Sequence, residues 1–148
     1  MAVVEDFDQV IEQYHLALGE FLNGNPEPLK MMYSRREYVS LTNPFGLRAC
    51  GWEQVAQIMA RGASYYREGE IVGFENVAKH VAPGLAYIVE LEQLKSKVGA
   101  REDVAPFTLR VTSIFGPEEG TWKVVHRRAD PITTPQPAES VIQEYPYP

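Results

Sequence analysis

Ionisable side chains are interspersed with apolar ones in the last two predicted strands of the chain. The first of these strands contains Arg110, and the second contains His126, Arg128 and Asp130. Charged groups are costly to bury unless they are paired or hydrogen-bonded. Their presence on a sheet that must also cover a core predicts a polar site set in an apolar pocket.

Two carboxylates, Glu90 and Glu92, lie in the strand predicted before these two. Histidine has an ordinary pKa of about 6.5, which suits proton transfer. One hypothesis is therefore that His126 or a glutamate moves a proton next to a carbonyl group, while Arg110 stabilises the charge that develops on oxygen. The alternative is that these residues are rim or solvated positions, or form a structural hydrogen-bond network.

Three aromatic residues on predicted helical apolar stripes are candidates for the pocket wall: Tyr14, Trp52 and Tyr66. The alternative is that each is a core residue, which is the commoner case both for tyrosines with a satisfied hydroxyl and for aromatic residues on a helical stripe. The three histidines are scattered and Cys50 stands alone, so the sequence contains no metal-ligand motif. There is also no phosphate-binding loop. We expect no metal and no cofactor.

The composition bounds the class of protein. A chain of 148 residues with a net charge of -6 is typical of one globular domain and argues against unaided nucleic-acid binding. No apolar stretch is long enough to span a bilayer, so we expect no membrane association. The acidic start lacks the pattern of a signal peptide, and the single cysteine fits a reducing compartment. The expected location is the cytoplasm.

Hydrophobic periodicity predicts helices first and strands afterwards. The predicted helices cover residues 3–22, 26–33 and 51–69, short strands cover 38–41 and 47–50, and long strands cover 71–81, 85–94, 107–115 and 121–130, with a charged loop at 95–106 and a turn at 116–120. This order predicts an α+β domain with helices on one face of an antiparallel sheet. The Pro-rich tail is expected to lie over its own domain or over a partner subunit.

Alternation along the strands assigns side chains to the two faces of the sheet. Glu90 and Glu92 share a face with apolar neighbours, and in the last strand Trp122, His126 and Arg128 share a face. Neither face is mostly polar, as a half-exposed sheet would require. We therefore expect helices to cover one face and a second subunit to cover the other, with the charged positions lining the space left open.

Five segments occur in an order that resembles the SnoaL-like, ketosteroid-isomerase-related branch of the nuclear transport factor 2-like superfamily; they are residues 43–46, 51–53, 85–92, 109–112 and 122–131. The resemblance implies a cone-shaped fold over residues 1–132, in which a strongly curved, mostly antiparallel sheet wraps around three N-terminal helices, and a separate tail over 133–148. It also implies a ligand pocket at the open end and a homodimer formed through the sheet.

The resemblance leaves the function open, because the superfamily includes isomerases and dehydratases as well as non-enzymatic binding and assembly modules. Relatives often read His-Arg-His-Ala-Asp where this chain has Arg128 in place of the second histidine. Arginine stays protonated and cannot shuttle a proton, but it can clamp a carboxylate. Two hypotheses follow: an isomerase- or dehydratase-like enzyme for a small hydrophobic carbonyl compound, or a non-enzymatic ligand-binding or dimeric assembly module. A cavity of a few hundred Å³, roughly, would favour a ligand.

Overall fold

The computed structural model describes residues 5–143. Its elements in chain order are α1 (Phe7–Phe21), α2 (Glu27–Met31), β1 (Ser40–Thr42), β2 (Arg48–Cys50), α3 (Trp52–Ala63), β3 (Tyr66–Ala82), β4 (Leu85–Val98), β5 (Ala105–Glu118), β6 (Thr121–Asp130) and a 3-10 helix (Ala138–Val141). None of the helices within these residues is both long and apolar enough to cross a bilayer.

The six strands form one sheet in the order β2-β1-β6-β5-β4-β3. Neighbouring strands are antiparallel except for β1 and β6, which run parallel. The predicted α+β class, a curved and mostly antiparallel sheet around three helices, is confirmed. The main core lies between the helices and the inner face of the sheet, where Phe7 and Tyr14 of α1 contact Phe115 of β5 edge to face.

The first helix buries one apolar stripe against the sheet. Its buried residues recur every three or four positions, as the sequence predicts: Phe7, Val10, Tyr14, Ala17 and Leu18. The helix begins at Phe7, later than predicted, because Asp6 has an extended backbone and its side chain accepts a hydrogen bond from the Asp8 amide at 3.0 Å. Residues 3 and 4 of the predicted helix lie outside the described residues.

The third helix ends earlier than predicted, at Ala63, and Tyr66 is already the first residue of β3. Gly69 therefore does not end a helix. It lies where β3 passes the end of α1, and a Cβ atom there would come within 2.5 Å of the Leu22 carbonyl oxygen. Only glycine allows this close approach, which coincides with a register shift that bends the strand.

The β4–β5 and β5–β6 hairpins are longer than predicted. Residues of the predicted loop 95–106 extend both strands, which leaves residues 99–104 as the connection. The last turn contains Glu119 and Gly120, both with positive φ. That pair is typical of a two-residue hairpin turn of type I′, which matches the twist of the strands it joins. The predicted turn residues 116–118 therefore belong to β5.

A β-bulge in β6 reverses the predicted facing of its second half. Ile114 pairs with His126 and Phe115 pairs with Val124, so Val125 is the extra residue. Trp122 and Val124 point inward as expected, but after the bulge it is Arg127 that is buried. The prediction that His126 and Arg128 share the face of Trp122 is wrong for this reason.

The tail leaves the sheet after Asp130. Val141 and Ile142 are 83% and 68% exposed, and most of residues 131–143 are exposed as well. The expectation that the tail covers its own domain is therefore wrong for its described part. Tyr145 and Tyr147 lie outside the described residues.

Candidate functional site

A buried ion pair links two strands of the inner sheet face. The Arg127 guanidinium donates to both carboxylate oxygens of Glu92, with Nη1 and Nη2 at 2.9 and 2.8 Å. Both side chains are buried. Although burial opposes the charge of Arg127, the Glu92 carboxylate and the Tyr14 hydroxyl raise the pKa of Arg127 well above its ordinary value. The site therefore holds a closed, two-pronged ion pair inside the cone.

A tyrosine from α1 extends this pair into a network. Arg127 Nη1 donates to the Tyr14 hydroxyl oxygen at 2.8 Å, and that hydroxyl lies 2.7 Å from Ser113 Oγ of β5. Because arginine only donates, the Tyr14 proton is directed to Ser113. Burial raises the pKa of Tyr14, so the phenol stays neutral. The candidate Tyr14 thus belongs to the site, through a fully hydrogen-bonded hydroxyl.

Two small cavities both have Arg127 in their lining. The larger, half-enclosed cavity has a volume of about 40 Å³ and the smaller one about 20 Å³. The larger is bounded by α2, α3, β1 and the turn after β1, and its lining includes Phe21, Leu29, Tyr33, Leu41, Ile58, Met59 and Arg127. The smaller is lined by Glu92 and Arg127 among apolar residues that include Tyr66. Both are far below the volume of a whole steroid-sized ligand.

Tyr33 lines the larger cavity and has a buried hydroxyl. The residue is 1% exposed, and its hydroxyl makes no hydrogen bond of ordinary length and angle to the residues that the structure describes. Burial raises the pKa of Tyr33 well above its ordinary value, and the Tyr14 hydroxyl close to it raises that pKa further. Thr42, which also lines this cavity, has a buried and unpaired Oγ1. Unpaired buried hydroxyls are uncommon in native proteins and call for a partner.

The turn after β1 forms the mouth of the larger cavity. Asn43 Oδ1 accepts hydrogen bonds from the amides of Phe45 and Leu47, both at 3.0 Å. The amide nitrogen Nδ2 makes no hydrogen bond to the described residues and lies beside Gly62 at the cavity wall. Phe45 is 43% exposed and packs edge to face on Tyr65. Asn43 therefore shapes the turn, as expected, and also presents a donor to the cavity.

Glu90 forms a second polar contact, separate from the two cavities. Its carboxylate oxygens both lie 3.0 Å from His15 Nε2, and the His15 ring stacks on Phe74 with 3.4 Å between ring centroids. Glu90 is buried on the inner face, as the alternation of β4 predicts. It lines neither of the two cavities beside Arg127.

Three of the predicted site residues lie on the outer face of the sheet instead. Arg110 is exposed and donates to Asp130 at 2.9 Å. His126 Nδ1 lies 2.8 Å from Ser40 Oγ, and burial lowers the pKa of His126. Arg128 is exposed, with its Nε 3.9 Å from Asp130. The expectation that Arg110 and His126 face the interior with Glu92 is wrong, because alternation and the bulge turn both outward.

Of the two remaining aromatic candidates, one lines a cavity beside Arg127 and the other lies at the surface. Tyr66 lines the smaller cavity, where burial raises its pKa to about 12. Trp52 lies at a surface groove, with the Arg35 guanidinium 4.8 Å above its ring. Within residues 5–143, no cluster of three histidine, cysteine or carboxylate side chains is placed to hold a metal ion.

The site residues that sequence reasoning missed are Arg127, Ser113 and Tyr33. Arg127 was hidden by the bulge at Val125, and no charge or motif marks Ser113. Tyr33 follows a helix of five residues and joins β6 only through an isolated bridge to Val124, so periodicity does not place it. A glycine inside a strand can signal a bulge in its neighbourhood. Gly116 lies against Val125 and offered that signal.

Solved structures share this architecture. A nuclear transport factor 2-like superfamily protein from Salmonella enterica has a TM-score of 0.69 at 16% identity, covering 87% of this chain and 90% of its own. A ketosteroid isomerase-like protein from Erwinia carotovora also has a TM-score of 0.69, at 12% identity, covering 86% and 94%. A provisionally assigned calcium/calmodulin-dependent protein kinase type II association domain from Thiobacillus denitrificans has a TM-score of 0.72 at 14% identity. The match covers 90% of this chain and 100% of that domain.

These similarities show that the chain has the nuclear transport factor 2-like fold expected from the resemblance. No protein-family model matches the sequence, and no curated protein is significantly similar to it. At identities of 12–16% the neighbours establish the fold alone. Function must therefore come from the site itself.

Proposed function

We propose that this protein binds a small molecule whose polar end enters the larger cavity beside Arg127. The observation that carries the proposal is an apolar cavity lined by Arg127, Tyr33 and Thr42, where the buried hydroxyls of Tyr33 and Thr42 make no hydrogen bond of ordinary geometry to the described residues. Leaving a buried polar group unpaired costs roughly 1–3 kcal/mol. A bound ligand that pairs with the Tyr33 hydroxyl would recover that free energy.

The size of the cavity limits what enters it. A volume of about 40 Å³ accommodates a few water molecules or a head group of a few atoms. The rest of a ligand would extend past Ile58 and Met59 toward Phe45 at the mouth. This lining favours a ligand with a polar head group and an apolar remainder. The proposal therefore retains the hydrophobic character of the ligand expected from the sequence, and limits the part inside the cavity to a small head group.

The Tyr33→Phe variant tests the proposal. Saturation-transfer NMR with 2-hexanone, hexanamide and hexanoate is expected to detect binding of at least one compound to the native protein. The variant should bind it about fivefold more weakly, because one hydrogen bond is lost. Its thermal stability should stay equal or rise, since the hydroxyl has no partner in the protein to lose.

Tyr87→Phe is the matched control, because Tyr87 lies on the outer face at the position paired with Ile114. It removes the same atom and should leave binding unchanged. Binding of none of the three compounds to the native protein would contradict the proposal. So would a Tyr33→Phe variant that loses stability and keeps its full affinity.

A second candidate function is a proton-transfer enzyme of the isomerase or dehydratase kind. The observation that favours it is Glu92, whose carboxylate lines the apolar smaller cavity. A carboxylate in apolar surroundings is a suitable base for a carbon acid. Of the three catalytic candidates Glu92, His126 and Arg110, only Glu92 lies there. Its bidentate contact with Arg127 would have to open before it could accept a proton.

Exchange of hydrogen for deuterium in 2-hexanone tests this second function. In D₂O the base would remove a proton next to the carbonyl, the electron pair would form an enolate, and a deuteron would return to carbon. NMR would show protein-dependent loss of that proton signal, abolished in a folded Glu92→Gln variant and retained in His126→Ala. Exchange at the buffer rate in the native protein would rule out this activity and leave the binding function standing.

A further inference from the structure

We infer that the cavity selects ligands with an uncharged hydrogen-bond acceptor, such as an amide or ketone carbonyl, over carboxylates, and that Glu92 sets this preference by neutralising Arg127. The inference rests on the proposed binding function and specifies its ligand class. Glu92 is a positioning residue in this scheme, because it acts on the ligand through Arg127.

The polar groups at the larger cavity supply hydrogen-bond donors. Arg127 has five N–H groups, of which three are used by Glu92 and Tyr14. The Tyr33 hydroxyl and the Asn43 Nδ2 amide have no partner among the described residues. The Asn43 amide is oriented by its Oδ1, which already accepts two backbone hydrogen bonds. Donor groups on residues that line the same cavity are suited to an acceptor oxygen on the ligand.

The charge at the site decides between kinds of acceptor. Glu92 meets Arg127 through both carboxylate oxygens, so the pair carries no net charge. A ligand carboxylate would share the same guanidinium and leave one buried negative charge uncompensated. Like charges a few ångströms apart repel strongly in an apolar interior, and burying an unpaired carboxylate is costly in itself. A neutral carbonyl meets the same donors without either cost.

The surroundings offer no second cation to reverse this balance. Among the described residues that line the two cavities, Arg127 and Glu92 are charged and the others are uncharged. Arg110 and Arg128 lie on the opposite face of the sheet, exposed and beside Asp130. The preference therefore depends on one carboxylate, and a single substitution should change it.

Hexanamide and hexanoate have the same carbon chain and differ in the charge of the head group and in the N–H donors of the amide, and they are the probes. Because 2-hexanone is uncharged and has no N–H donor, it should bind like hexanamide if charge decides the preference. Titration calorimetry of the native protein should give an affinity for hexanamide at least about tenfold higher than for hexanoate. Glu92→Gln leaves the Arg127 charge unpaired and should reverse the preference by a similar factor. Glu92→Asp keeps the negative charge and should keep the native preference. A merely structural role for Glu92 would lower both affinities together without reversing their ratio.

The outcomes separate this inference from the proposed function. Tighter or equal binding of hexanoate by the native protein would overturn the inference alone. An unchanged preference in folded Glu92→Gln would overturn the role of Glu92. Absence of binding of hexanamide, hexanoate and 2-hexanone would overturn both proposals.

A double variant keeps the test valid if Glu92→Gln does not fold. Glu92→Gln with Arg127→Gln replaces the ion pair by two amides that can hydrogen-bond to each other. Because the pair has no net charge, the double variant should keep the preference for hexanamide. Selective loss of hexanoate binding would show that Arg127 recognises carboxylates, and would overturn the inference.

Discussion

Arg127 is the residue on which the candidate site depends, because it lines both cavities and donates hydrogen bonds to Tyr14 of α1 and Glu92 of β4. Removing one partner of a buried ion pair typically costs about 3–5 kcal/mol, since the other charge stays buried. The sequence identified Glu92 and Tyr14 as candidates but predicted that Glu92 shares its site with Arg110 and His126, which lie on the other face of the sheet. Residue types alone do not tell which of two adjacent arginines faces inward.

Tyr66 gives a pH dependence that can be measured at this scale. Burial raises its pKa from 10.0 to about 12, so the unfolded chain releases the phenol proton at lower pH than the folded one. The corresponding stability is complete below about pH 10 and is lost as the pH rises to about 12, by roughly 2–3 kcal/mol in total. Tyr66→Phe removes a group that ionises in the unfolded state, so its stability should fall less over this range.

Urea unfolding at pH 9 and pH 11.5 measures the effect in both proteins. Tyr14 and Tyr33, whose pKa values burial also raises, are present in both and cancel in the comparison. If the free energy of unfolding fell by the same amount between pH 9 and pH 11.5 in the native protein and in Tyr66→Phe, the raised pKa of Tyr66 would be contradicted.

At the scale of elements, periodicity predicted most of the fold. The apolar stripe of α1, the order of strands and the inward face of β4, with both Glu90 and Glu92 buried, follow from residue spacing. These are long, regular segments in which a face of the element is buried, so the pattern is strong.

The failures occur where the chain departs from regular geometry. The bulge at Val125 moves Arg127 inward, and the Val125 side chain lies against Gly116 of the neighbouring strand, where a Cβ atom would come within 3.3 Å of it. The end of α3 was misplaced because Gly69 serves a tertiary contact with Leu22, which no local propensity encodes. The cavity combines Tyr33, Arg127 and the turn at Asn43, which are distant in sequence, so only the folded chain defines it.

At the scale of the whole molecule, the outer face of the sheet remains to be accounted for. Tyr87, Val89, Leu91 and Ile114 lie on that face, half-buried, among polar residues. A solvent-exposed sheet face is usually more polar than this. We therefore expect two copies of the chain to pack through this face, as the sequence analysis anticipated.

Light scattering after size exclusion tests this expectation. The native protein should elute at twice the mass of one 16.7 kDa chain. Ile114→Arg places a charge in the middle of the apolar strip and should give monomers with unchanged circular dichroism. Leu16→Arg, at a 69% exposed position on α1, is the control and should remain dimeric. A native mass of one chain would contradict the expectation.

The turn at the mouth of the larger cavity has a kinetic consequence. Asn43 braces it through two side-chain hydrogen bonds, and its backbone amide donates a third to the Leu47 carbonyl at 2.9 Å. Because three hydrogen bonds hold the turn, we expect a ligand to enter without a movement of residues 43–47. Diffusion would then set the association rate of the ligand, and the contacts that the ligand makes inside the cavity would set its dissociation rate.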